Sequence, residues 1–242
     1  MKTVAISQPT YLPWIGYFRI MKESDIFVFL DSVQYERQSW QCRNKIKTAQ
    51  NWMWLTIPIK HNSNFLAIKD VEIDNSSLWS LKHWKSIETC YGKSPYFEIY
   101  SDFFKGVYEK QWILLSELNI SIIKYLAKQL GLSKTFLRSS ELNVSGKRTD
   151  LVLNICKFLG ADRYVSSVGA EDYMLRDNAE QLFKTADIQL DFLKYDSPVY
   201  PQLFGDFIPQ LSFIDCLFNC GPDSSRIVFD EKLVNFHSIS DP

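Results

Sequence analysis

The chain has 242 residues, 46% hydrophobic and 23% charged, with a formal net charge of −1. That is the composition of an ordinary soluble globular protein. A charge balance so near zero gives no case for a nucleic-acid partner or an anionic membrane surface. No apolar run approaches the roughly 20 residues of a membrane-spanning helix, so no membrane insertion is expected.

Met1-Lys2 leads straight into an apolar run, so no leader peptide is expected and a cytoplasmic location is. The five cysteines, Cys42, Cys90, Cys156, Cys216 and Cys220, include no Cys-x-x-Cys pair and have no histidine beside them. Neither a metal site nor a disulfide framework is expected from them. Cys156 and Cys216 read as small core residues. Aromatic content is high, at 15%. Most of these rings belong to a core, and a few are candidates to stack on a ligand ring.

Taken in order, Val4–Ile6 and Ile26–Leu30 read as short buried strands, with a helix from Trp14 to Lys22 between them. This is the start of a βαβ unit. Residues 32–50 are polar with interleaved aromatics. WMWLTIPIK and AIKDVEI alternate as strands around the His61–Asn64 turn, which predicts an antiparallel hairpin near residues 54–73. Helices are expected from about Leu78 to Tyr91 and, in two pieces, from Phe97 to Gly131. Strands Thr135–Leu137, Arg163–Val165 and Ile188–Leu193 then alternate with helices Arg148–Leu159 and Glu171–Thr185. A Pro-rich loop and an apolar helix, LSFIDCLFNC, follow. From Pro222 onward a frayed tail with one short helix is expected. The architecture this predicts is α/β, a mainly parallel, Rossmann-like sheet with helices on both faces. One domain spans 1–242, with 32–75 as a β-rich insertion.

In such sheets ligands bind beyond the carboxyl ends of the strands. That rule selects Gln8 and Thr10, with Tyr11 and Trp14 beside them, and Asp31 after the second strand. Arg37, Trp40, Arg43 and Asn44 follow, a set suited to an anionic ligand with flat rings. Lys147 and Arg148 open a helix and are candidate phosphate ligands. Of three histidines, His61 lies in a turn and His237 in the tail. His83 is the one placed to serve as a general base. Gln8, Thr10, Asp31, Arg43, Asn44 and His83 are expected to share one pocket. Asp215, in an apolar helix, is expected to be paired with an arginine.

Several blocks carry a resemblance: QPTYLPWIGYF, DIFVFLDSVQYERQSWQCRNKIKT, HWKSIETCYGKSPYF, ICKFLGADRYVSSVGAEDYM and YPQLFGDFIPQLSFIDCLFNCG. In that order they resemble the WbqC-like family of bacterial proteins, across nearly the whole chain. The resemblance implies a link to O-antigen and other surface-polysaccharide gene sets, in which some members are labelled glycine transferase or aminosugar acylation protein. It therefore implies N-acyl or aminoacyl transfer to a nucleotide-linked amino sugar, with that sugar and an acyl donor as partners and no cofactor. A non-catalytic sugar-nucleotide or glycan binding protein and an ATP-dependent amide ligase are the alternatives.

Overall fold

A computed structural model describes residues 1–238. β1 (Thr3–Ser7), α1 (Ile15–Lys22) and β2 (Ile26–Phe29) form the opening βαβ unit, and β1 and β2 pair in parallel. β3 (Arg43–Lys47) and β4 (Trp52–Thr56) make a separate antiparallel hairpin. Three helices follow, α2 (Trp79–Tyr91), α3 (Phe97–Glu109) and α4 (Leu115–Gln129). The chain then runs β5 (Thr135–Arg138), α5 (Arg148–Phe158), β6 (Arg163–Ser167), α6 (Glu171–Arg176), α7 (Ala179–Thr185) and β7 (Gln189–Tyr195). It closes with α8 (Phe213–Cys220), α9 (Ser224–Val228) and β8 (Val234–Ser238).

The main sheet has six strands in the order β5-β2-β1-β6-β7-β8. Every pairing is parallel except that of β7 with β8. Numbered by their own sequence, the strands run 3-2-1-4-5-6, the order of a doubly wound, Rossmann-like sheet. The order reverses between β1 and β6, and that switch point is where such sheets open a crevice.

Both faces of the sheet are covered, because strand side chains alternate. Ala5, Phe27, Phe29, Val165 and Leu193 pack into one core with residues of α1, α2, α3, α4 and α8. Val4, Ile6, Val28, Tyr164 and Phe192 pack into a second core with residues of α5 and α7. Both neighbours along each strand are therefore apolar, which makes the strands legible as continuous runs.

Three expectations need correction. The hairpin exists, but Trp52–Thr56 pairs with the preceding Arg43–Lys47, and the 67–73 segment meets its expected partner in an isolated antiparallel bridge between Ile59 and Ile73. Ile68, Val71 and Ile73 are all buried, around a single 3-10 turn at Ile68–Asp70. Their spacing serves a core contact rather than a pleat. The helix expected over Glu171–Thr185 breaks at Asp177-Asn178, where Asn178 takes a left-handed φ of 58°. Finally, the frayed tail is instead an edge strand. β8 pairs antiparallel with β7 from Asp191 to Tyr195, and Tyr195 meets Val234 in that register.

No helix among the described residues is long and apolar enough to cross a membrane.

Candidate functional site

The Gln8–Pro13 loop leaves β1 at the switch point and is held from several directions. Tyr11 N–H donates to the Trp40 carbonyl at 2.9 Å, and Phe213 N–H donates to the Pro13 carbonyl at 2.8 Å. The buried Asn119 of α4 donates to the carbonyls of Pro9, at 3.0 Å, and Gln41, at 2.8 Å. Leu12 sits at a φ of +44°, a left-handed conformation that costs a non-glycine residue about 1 kcal/mol or more. Asn44 offsets this by donating to the Leu12 carbonyl at 2.6 Å. A loop pinned this way presents its polar side chains at fixed positions.

Two cavities open around it. The larger, about 810 Å³, lies beyond the carboxyl ends of β1 and β2. It is lined by Gln8, by Ser32 and Glu36 of the loop after β2, by Lys147 and Arg148 at the start of α5, and by Tyr173 and Arg176 of α6. Its charge is predominantly positive. The smaller, about 290 Å³, is lined by Thr10, Trp14, Tyr17, Trp40, Asn44 and Gln210. No ionisable carboxylate or amine is among those residues, and three of the six are aromatic. Gln8 joins the two: it lines the larger, and its carbonyl accepts from the hydroxyl of Tyr17, which lines the smaller, at 3.1 Å. Gln8 Oε1 accepts from Gln41 Nε2 at 2.8 Å. Its own Nε2 has no partner among the described residues and remains as a donor.

Gly16 leaves room for the Trp14 ring. A Cβ there would lie 2.2 Å from the Trp14 indole, which packs over the start of α1 and lines the smaller cavity. At Gly146, with a φ of +142°, a Cβ would lie 2.8 Å from the Leu151 backbone nitrogen. The glycine lets the chain turn tightly onto the first turn of α5.

The expected site residues thus fall into three groups. Gln8, Lys147 and Arg148 line the larger cavity. Thr10, Trp14, Trp40 and Asn44 line the smaller. Tyr11, Asp31, Arg37, Arg43 and His83 line neither, so the single convergent pocket is replaced by two adjoining ones.

The reasons are physical. Tyr11 is fully buried, and its hydroxyl hydrogen-bonds His83 Nδ1 at 2.9 Å and the Tyr108 hydroxyl at 2.5 Å. His83 is 6% exposed, packs edge-on against Trp79 and hydrogen-bonds the Thr56 backbone. Burial pushes its pKa down to about 4. It is a neutral core histidine rather than a base at the cleft. Asp31 has no exposed surface; it accepts from Arg138 Nε at 2.7 Å, from Ser140 N–H at 3.0 Å and from the Ser139 and Ser140 hydroxyls. Its lone pairs are committed to tying β2 to the loop after β5. Arg37 is exposed on a turn. Arg43 stacks on Trp54, 4.4 Å from the ring centroid.

Arg148 also has an internal partner. Asp177, from the break between α6 and α7, accepts from Arg148 Nε at 3.0 Å and from Thr149 Oγ1 at 2.9 Å. Those contacts hold its carboxyl below the usual range. The start of α5 therefore already carries an anion. Asp215 is paired, but not with an arginine. Gln202 Nε2 donates to it at 2.8 Å, and the Tyr91 and Tyr200 hydroxyls lie against it. Burial pushes its pKa up to about 6.

Glu36, Gln41, Asn119, Arg176 and Gln210 escaped the sequence reading. Arg176 carries a legible signal: it lies one helical turn beyond Tyr173, in the first α-helix after a parallel strand. Gln41 and Asn119 give none, since a buried amide looks like any surface amide until its partners are known.

An α/β protein with a doubly wound sheet and a two-part cleft at its carboxyl edge is the class these features define. The chain belongs to the WbqC-like protein family, whose profile matches residues 8–227. It is 33% identical over 227 residues to an uncharacterized protein of Mycobacterium tuberculosis, covering 93% of this chain and 96% of the relative. No solved structure gives a significant match.

Proposed function

We propose that the protein transfers an acyl or aminoacyl group, such as glycyl, to the amine of a nucleotide-linked amino sugar in surface-polysaccharide biosynthesis, in the cytoplasm. One observation carries this reading: a basic cavity and a neutral, aromatic pocket adjoin at Gln8, on the edge where doubly wound sheets bind ligands. A sugar nucleotide has the matching halves. Its diphosphate suits Lys147 and Arg176, and a flat pyranose face suits the indoles of Trp14 and Trp40. Gln8 Nε2, between the halves, is a donor for the carbonyl oxygen that gains charge as the acyl group is attacked.

One observation favours a second reading, a non-catalytic sugar-nucleotide or glycan binding protein. His83 is held neutral in the core, so no histidine among the described residues serves the cleft. Incubation with nucleotide-linked amino sugars and acyl donors, with and without ATP, separates the readings by product mass. A mass gain without ATP supports transfer. A gain that needs ATP supports an amide ligase, and binding without product supports the binding protein.

A further inference from the structure

We infer that Glu36 is the residue that selects a ligand bearing a free amine; this rests on the sugar-nucleotide reading above and specifies the substrate class of that site. Glu36 is the sole carboxylate among the described residues lining the larger cavity, where Lys147, Arg148 and Arg176 supply the positive charge. Arg148 is paired with Asp177. Glu36 forms no ion pair with Lys147 or Arg176 among the described residues, although all three line the same space. A cavity built only for a diphosphate gains nothing from a carboxylate, which repels the ligand. Unpaired charges of both signs on its walls complement a ligand that carries both signs, a phosphate and an ammonium.

The placement of Glu36 is built rather than incidental. Its backbone N–H donates to Gln41 Oε1 at 3.1 Å, and Gln41 Nε2 donates to Gln8 Oε1 at 2.8 Å. Gln41 is 1% exposed, and its carbonyl is held by Asn119 at 2.8 Å. One buried amide thus spaces Glu36 from Gln8. An ammonium held by Glu36 lies on the same wall as the free amide donor of Gln8, which the acyl carbonyl needs. Once the ammonium passes its proton to Glu36, the free amine attacks the acyl carbonyl, the bond from that carbonyl to the donor's leaving group breaks, and the amide formed carries no charge for the carboxylate to bind, so the product is held more weakly than the substrate.

Calorimetric titration of the full chain with glucosamine 1-phosphate and N-acetylglucosamine 1-phosphate tests this. It is run near roughly pH 6.5, where an amine of ordinary pKa, about 7.7–8, is protonated. The wild type is expected to bind the amine about tenfold more tightly than the amide, the scale of one charge-assisted hydrogen bond. Glu36→Gln is expected to bind both equally, holding the N-acetyl sugar phosphate at least as tightly as the wild type does because a negative charge leaves the cavity wall, with an unchanged melting temperature, since the side chain is exposed. No preference in the wild type, or a preference that survives Glu36→Gln, overturns the role of Glu36 and leaves the sugar-nucleotide reading standing. Binding of neither sugar phosphate contradicts both.

Discussion

Trp14 can lie over the start of α1 because residue 16 has no side chain. A methyl group there meets the far end of the indole rather than backbone, so the ring swings away and the helix stays. Gly16→Ala is therefore expected to weaken ligand binding severalfold while moving stability by less than about 1 kcal/mol, through helix propensity. Parallel titration and thermal melts check it, and a large loss of stability would contradict it. His83 carries the opposite lesson. A lone histidine on a helix face looks the same in sequence whether it meets solvent, a cleft or a core. Only the tertiary contacts with Tyr11, Tyr108 and Trp79 reveal a neutral structural ring. Asp31 carries the same lesson: a carboxylate after a strand can serve a ligand or, as here, the neighbouring loop.

At the scale of elements, the junction of α5 with the α6–α7 break is the most informative. Asp177 caps α5 through Thr149 and neutralises Arg148. Asp177→Ala is expected to lower stability slightly through the lost cap. It is also expected to strengthen binding of inorganic phosphate, because a resident negative charge leaves the cavity wall. Urea unfolding and a phosphate titration read the two effects, and weaker phosphate binding would contradict the assignment. The sheet itself was largely legible. VAI, IFVF and YV are apolar runs buried on both faces, and their alternation with helices dictates parallel pairing. The RNKIK strand was not, because its three cations spoil the apolar signal; two of them stack on Trp52 and Trp54. β8 was missed because VNFHS is an edge strand, half-buried or exposed over Val234–Phe236. Of the cleft, the strand-end rule located Gln8 and Thr10, and the affinity of helix starts for anions located Lys147 and Arg148. The buried amides that connect them depend on contacts distant in sequence.

For the molecule as a whole, two buried groups make opposing demands on pH. His83 has its pKa lowered to about 4, so its stabilisation is full above the unfolded value of 6.5 and is lost as pH falls toward 4. Asp215 has its pKa raised to about 6 from 3.8, so its stabilisation is full below 3.8 and is lost as pH rises through 6. Each amounts to on the order of 3 kcal/mol. Between about pH 4 and 6 the two slopes offset each other. Asp215→Asn is expected to leave a protein whose stability climbs with pH across that window, and His83→Gln one whose stability declines. Urea unfolding at a series of pH values reads both slopes, and parallel curves for the two variants would contradict the assignment. The central claim concerns the cleft, where a basic cavity and an aromatic pocket act as one site through Gln8. A crystal structure with a uridine-diphosphate-linked glucosamine tests it most directly. The account predicts the diphosphate between Lys147 and Arg176, the amine beside Glu36 and the sugar ring turned toward Trp14. A ligand seated instead in the acidic groove of Asp162, Glu180 and Asp187 would contradict it.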